Sequence, residues 1–259
     1  MSQASAITAI AYRDLLKLLR DPMRIVTTFI FPFLFIAILG GSMQAALGGV
    51  VGFNLLTATF TGVLAQTLFQ STALGVVSLI EDRENDFSQE IFVSPISRYS
   101  IIFGKILGET LVALPQGLAI LLFGLVVGVP LTVENVLAML PVAVIICLFG
   151  GAFGVMLLAN LRSQRAANQL FPFVMLPQLF IAGVFAPTVN LPPYLDLLSH
   201  IAPLRYAVDL MRGVFYAGTP EYSKVVLDPP LFNLGVMAAM FVVFLAAGTW
   251  LFVRGERNR

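Results

Sequence analysis

Very long apolar stretches alternate with short polar ones along this chain. Residues 25–80 are 56 consecutive positions without a charged side chain. A helix crossing a bilayer takes about 20 apolar residues, so this run predicts two spans and a turn. The Gly40-Gly41, Gly48-Gly49 and Gly52-Phe53-Asn54 cluster marks that turn, placing the first span near 25–46 and the second near 55–80. Ser100 to Val127 reads as a third span, closed by a Gly128-Val129-Pro130 turn. A fourth runs about 134–159. A fifth covers about 167–187 and holds Pro172 and Pro177, which membrane helices tolerate when neighbours satisfy the freed backbone groups. The sixth lies at about 231–253. The predicted fold class is an all-α membrane protein of six transmembrane helices, one domain over residues 1–259, with no internal repeat.

The polar stretches have patterns of their own. In residues 3–22, Ile7, Ile10, Ala11, Leu15, Leu18 and Leu19 follow the helical period, while Arg13, Lys17 and Arg20 take another face. That predicts an amphipathic helix lying at the membrane interface, within residues 1–24. Glu81 to Arg98 packs five acids and two arginines into 18 positions. Phe87, Ile91 and Phe92 would give a helix there an apolar stripe, and Ser94-Pro95 would end it. Residues 188–230 are apolar for a loop: Leu191, Leu195 and Leu198 suggest one short helix, Leu204, Val208 and Met211 a second, with Ala202-Pro203 between them. Such a segment is expected to tuck back into the membrane face in a re-entrant arrangement.

Composition agrees with a membrane protein: 58% of residues are hydrophobic and 11% charged, against about 25% charged in soluble domains. The net charge of +1 carries no signal for nucleic acid. The distribution of charge says more. With six spans both termini share one side, and twelve of the fifteen basic residues fall there. Arg205, Arg212 and Lys224 take the other side. By the excess of basic residues in cytoplasmic loops, both termini and the Glu81–Arg98 stretch are expected in the cytosol, in a multi-pass protein of the inner (cytoplasmic) membrane.

Catalytic motifs are missing. The sequence contains no GxxxxGK[ST] phosphate loop, no GxSxG and no HExxH, so no catalytic residue, cofactor or metal site is expected on this chain. His200 has no second His or Cys partner for a metal and reads as structural or interfacial. Cys147, inside an apolar run, reads as a small buried hydrophobe. Lys105 and Glu109, four apart at the start of the third span, read as a helix-internal ion pair near the interface.

Two motifs carry a resemblance. Arg83-Glu84, Glu90, Ser94-Pro95, Arg98 and Gly104-Lys105 resemble the cytosolic loop of type-2 ABC transporter permeases of the drug-export (daunorubicin-resistance-like) and polysaccharide-export branches. Gly183-Val184-Phe185-Ala186-Pro187, Leu191-Pro192-Pro193, Ile201-Ala202-Pro203-Leu204-Arg205-Tyr206, Asp209 and Arg212 are similar to the outer segment before that family's last span. One departure is Asn85-Asp86-Phe87, where the family often has a Gly-Thr pair after the Arg-Glu. The resemblance implies a half-transporter: two permease copies, as a homodimer or a heterodimer, with two cytosolic ATPase subunits that bind ATP and Mg. It makes Glu81–Arg98 the coupling helix, with Arg83, Glu84, Phe87, Glu90, Ile91 and Phe92 against the ATPase. It also implies outward movement of an amphipathic drug, lipid or lipid-linked substrate by alternating access, with a polysaccharide or lipo-oligosaccharide as the alternative cargo.

By the same resemblance the pathway runs between two copies, lined from the first, second and fifth spans. Phe35, Gln66, Gln70, Asn168 and Gln178 are the candidate lining residues, though polar groups within spans serve equally well to join helices. The rival classes are an ion-coupled secondary transporter, which would show buried ionisable groups and a repeat, a membrane enzyme, and a scaffold that docks a cytosolic partner.

Overall fold

The structure is a computed structural model and describes residue 12 and residues 29–84, 98–158, 161, 163–189 and 191–257. The expected interfacial helix at 3–22 lies outside the described residues except for Tyr12, which is helical and exposed. Phe87, Glu90, Ile91 and Phe92 also lie outside them.

Among the described residues the fold is all helical. The helices are α1 (Phe29–Val51), α2 (Leu55–Gly75), α3 (Val77–Glu84), α4 (Arg98–Val126), α5 (Val133–Leu158), α6 (Gln164–Ile181), α7 (Pro193–Ile201), α8 (Pro203–Phe215), α9 (Tyr222–Val225) and α10 (Pro230–Arg257). Five segments are long and apolar enough to cross a membrane: Phe29–Val51, Leu55–Ile80, Ser100–Val126, Val133–Leu158 and Tyr222–Leu251. Helix α6 stands where the fifth span was expected but is not among them. Its 18 residues include Gln164, Arg165, Asn168, Gln169 and Gln178, which lower its apolarity.

The first turn falls later than expected. Gly40-Gly41 and Gly48-Gly49 do not bend the chain; they lie inside α1, whose Phe35–Gly40 stretch is wound as a π-helix. Only Gly52-Phe53-Asn54 turns. Gly52 takes the left-handed conformation (φ 73°) that glycine enters without steric cost. Asn54 then caps α2, its side chain accepting from the Thr57 N–H at 3.0 Å.

Helix α2 is the centre of the bundle, buried along nearly its whole length, with α1, α4, α5 and α8 packed around it. Gly150 and Gly154 of α5 let that helix sit on α2: a Cβ on either would strike the Phe69 or Ala73 carbonyl oxygen. Small residues four apart give close helix packing in this way where lipid removes the hydrophobic drive. The π-helical turn of α1 lies against α2 as well, with Gly40 facing Thr59.

Helices α7 and α8 sit where the apolar periodicity placed them, separated at Ala202. They differ in environment. Tyr194, Leu197, Leu198 and Ile201 of α7 are exposed, whereas α8 is buried almost completely, against α2, α5 and α10.

Candidate functional site

Two polar clusters occur at opposite ends of α2. At its N-terminal end, α8 carries Arg205, Asp209 and Arg212, spaced four and three apart and so on one helix face. All three are buried. The Arg212 guanidinium donates through Nη2 to Ala58 O of α2 (3.1 Å) and to Gly183 O and Val184 O of the turn after α6 (2.7 and 3.3 Å). Burial lowers its pKa to about 10, opposed by the nearby Asp209 carboxylate. Asp209 accepts from the Leu227 and Asp228 backbone N–H groups (2.8 Å each) and from Asn233 Nδ2 (2.7 Å). Burial raises its pKa, and those hydrogen bonds and Arg212 oppose the shift. Arg205 reaches Ser199 Oγ (3.1 Å), His200 Nδ1 (3.0 Å) and Asp228 Oδ2 (3.2 Å). One helix face thus ties α8 to α2, α6, α7 and the start of α10.

At the other end of α2, Lys105 Nζ lies 2.6 Å from Glu109 Oε1, with side chains 1% and 4% exposed. The sequence suggests a pair near the interface. The structure buries both residues among α2 and α4, so Lys105 is not a loop charge.

The candidate lining residues differ in their surroundings. Gln66 donates to Gln70 one turn on; Gln66 is buried and Gln70 half-buried. Phe35 stacks on Phe185 with centroids 5.0 Å apart. Asn168 is exposed. Gln178 is buried; its Oε1 accepts from the Leu204 N–H at 3.3 Å, and its Nε2 donates to Val174 O at 3.3 Å. Gln178 therefore joins α6 to α8 and takes the helix-joining role, because burial leaves its amide no water to bond. Arg83 and Glu84 lie on α3, the helical continuation of the central span after a break at Val76. His200 is an exposed residue in the polar cluster, its Nδ1 2.8 Å from Asp196 O.

Residue-by-residue reading had left Asp209, Arg212 and Asn233 without roles. Asp209 and Arg212 carry a signal as ionisable residues three apart in an otherwise apolar segment, beside the more obvious apolar face Leu204–Val208–Met211. In fact both faces of α8 are buried.

The sequence profile described as ABC-2 type transporter matches residues 5–216, most of the chain. The chain belongs to the ABC-2 type transporter family. Among relatives of this permease, a putative transport permease ycf38 of Cyanophora paradoxa is 26% identical over 246 residues, covering 93% of this chain and 85% of the relative. The inner membrane transport permease YhhJ of Escherichia coli K12 is 29% identical over 199 residues, 74% of this chain and 52% of YhhJ. The probable multidrug ABC transporter permease YbhR of the same strain is 27% identical over 163 residues, 59% of this chain and 43% of YbhR. The matched range contains the Arg205–Asp209–Arg212 face and the Lys105–Glu109 pair. Family and helices together make the chain a multi-pass membrane transport permease.

Proposed function

We propose that this permease is the membrane half of an ATP-driven exporter and works with two copies of a separate cytosolic ATPase, which binds ATP and Mg. Two permease copies, a homodimer in the simplest case, enclose the pathway. Six spans, with α6 as the fifth, set both termini in the cytosol of an inner (cytoplasmic) membrane. Phe35, Gln70 and Asn168 are the lining candidates that keep exposed surface.

The observation that carries this reading is α3. After Val76 the central span continues as the helix Val77–Glu84 and leads directly into the acidic 85–97 segment. A helix that runs from the buried core into a charged segment suits transmission of force from a docked partner. In this reading Arg83, Glu84, Phe87, Glu90, Ile91 and Phe92 contact the ATPase. The cargo is amphipathic and drug-like or lipid-like. The multidrug name of YbhR supports that choice over a polysaccharide.

The experiment is co-purification with the candidate ATPase and measurement of ATP hydrolysis by the complex in lipid, for the wild type and Phe87→Ala/Glu84→Ala. Loss of binding or of coupled hydrolysis in the double variant supports the reading. A wild type that binds no ATPase overturns it, and the ion-coupled alternative, which the buried Lys105–Glu109 pair favours, then takes its place.

A further inference from the structure

The apolar interior of the bundle is divided. The main core runs through α2, α5, α6 and α8 and takes in Val77 and Ile80 of α3, while Val76, Leu79, Ile101, Ile102, Ile106 and Val155 form a second, smaller cluster. That cluster joins the α2–α3 junction to the first turns of α4 and the end of α5. The junction is also where the central helix is interrupted, between Gly75 and Val77. Leu79 of α3 and the first turns of α4 share the small cluster, while Val77 and Ile80 of α3 pack into the main core.

The Lys105–Glu109 pair stands at that break. Ile106, between them in sequence, is in the small cluster and packs against Gly151 of α5, where a Cβ would come 2.7 Å from Ile106 Cγ2. The Glu109 carboxylate occupies the space a side chain at Gly75 would need: a Cβ there would fall on its Cδ and Oε2. Oε1 is held by Lys105, and Oε2 is buried without a hydrogen-bond partner among the described residues. The carboxylate is therefore fixed on one side by the ammonium and pressed on the other against the backbone of α2, one residue before the break.

Stability does not account for such a pair. Desolvating two charges costs about as much as their attraction returns, and an apolar pair of equal volume is as stable or more so. A buried ion pair supplies instead a fixed geometry, since neither partner can leave without exposing a charge to the apolar interior.

We propose that Lys105 and Glu109 are positioning residues that lock the first turns of α4 to the central helix at Gly75, so that movement entering through residues 85–97 reaches α2 and the α8 end through α4 instead of being absorbed at the Val76 break. This rests on the ATP-driven reading. It adds the point at which force passes from α4 into the central helix.

The test uses the permease–ATPase complex in lipid nanodiscs and three variants: Lys105→Met/Glu109→Leu, the charge exchange Lys105→Glu/Glu109→Lys, and Gly75→Ala, which displaces the carboxylate while keeping both charges. The readout is hydrogen–deuterium exchange in Pro193–Phe215, compared between nucleotide-free and vanadate-trapped ATP states. Lys105→Met/Glu109→Leu is expected to bind the ATPase, to unfold no earlier than the wild type, and to lose the nucleotide-dependent exchange difference by about fivefold or more. Gly75→Ala is expected to lose it as well, and the charge exchange to recover part of it. A wild-type exchange difference in both the apolar pair and Gly75→Ala overturns the proposal and leaves the pair a structural staple. A wild type that binds ATPase and shows no nucleotide-dependent change at Pro193–Phe215 also overturns it, with the transporter reading intact. A wild type that binds no ATPase instead defeats the transporter reading itself.

Discussion

Gly62 of α2 meets the carbonyl oxygen of Val184 with no side chain between them, and a Cβ at Gly62 would collide with that oxygen. The contact lies within the reach of Arg212, which bonds both Ala58 O and Val184 O. Replacing Gly62 by Ala must push α2 and the 183–184 turn apart and break at least one of those bonds. Overpacking costs about 1–3 kcal/mol and the lost charged hydrogen bond about 1.5–3 kcal/mol more. Thermal unfolding of the detergent-solubilised protein should show a drop of several degrees for Gly62→Ala; a wild-type midpoint would mean the turn yields freely.

Removing the Arg212 charge is more severe. Arg212→Met leaves three carbonyl oxygens without their donor and removes a positive charge that opposes the effect of burial on Asp209. Losing a hydrogen bond from a charged donor costs about 1.5–3 kcal/mol and three carbonyls lose theirs together, so this variant should fail to accumulate in membranes. Arg212→Met/Asp209→Asn should recover part of the loss, because the amide of Asn stays neutral. Membrane expression levels of the single and double variants decide between these outcomes.

Asp209 also predicts a pH dependence. Burial raises its pKa in the folded protein above the ordinary value of 3.8 for this group. A raised pKa means the folded state holds the proton more tightly than the unfolded chain. The stabilisation is therefore fully present below 3.8 and is lost as pH rises through the folded value. The wild type should gain stability on mild acidification relative to Asp209→Asn, and the two unfolding midpoints plotted against pH should converge toward the acid side.

His200 Nδ1 faces groups with opposite demands: Asp196 O at 2.8 Å, with Asp196 Oδ1 at 3.5 Å, wants a donor, and Arg205 Nη1 at 3.0 Å offers one. A single neutral tautomer satisfies one of them. The charge-assisted bond is the stronger, so the wild type should carry its proton on Nε2. Arg205→Gln should transfer it to Nδ1, toward Asp196 O. The chain has one histidine, so the 15N shifts of that ring in a histidine-labelled sample read the tautomer directly.

At the α1–α2 turn, Asn54→Ala removes the cap on the Thr57 N–H and should cost about 1 kcal/mol. Gly52→Ala should cost a similar amount, since φ 73° is strained for any residue with a Cβ. Chemical unfolding of both variants would separate this local effect from the larger one at Gly62.

Local signals in the chain determined a good deal. The uncharged run, the turns and the helical spacing of leucines placed most of the membrane helices and the α7–α8 pair, because length and apolar periodicity act within one segment. Lys105 and Glu109 could be paired from sequence because partners four apart share a helix face. Tertiary structure decided the rest, because it depends on which segments touch. The apolar face of α8 was legible; that its charged face is buried as well was not, since the carbonyls that accept from Arg212 come from residues 58, 183 and 184. Gln178 looked like a polar position in a span, and only the approach of Leu204 made it a joint between helices. Gly40-Gly41 looked like a turn and proved helical, because Gly40 lets α1 lie close to Thr59 of α2. The same holds for Gly75: a glycine in the sequence is a seat for Glu109 only once α2 and α4 are side by side.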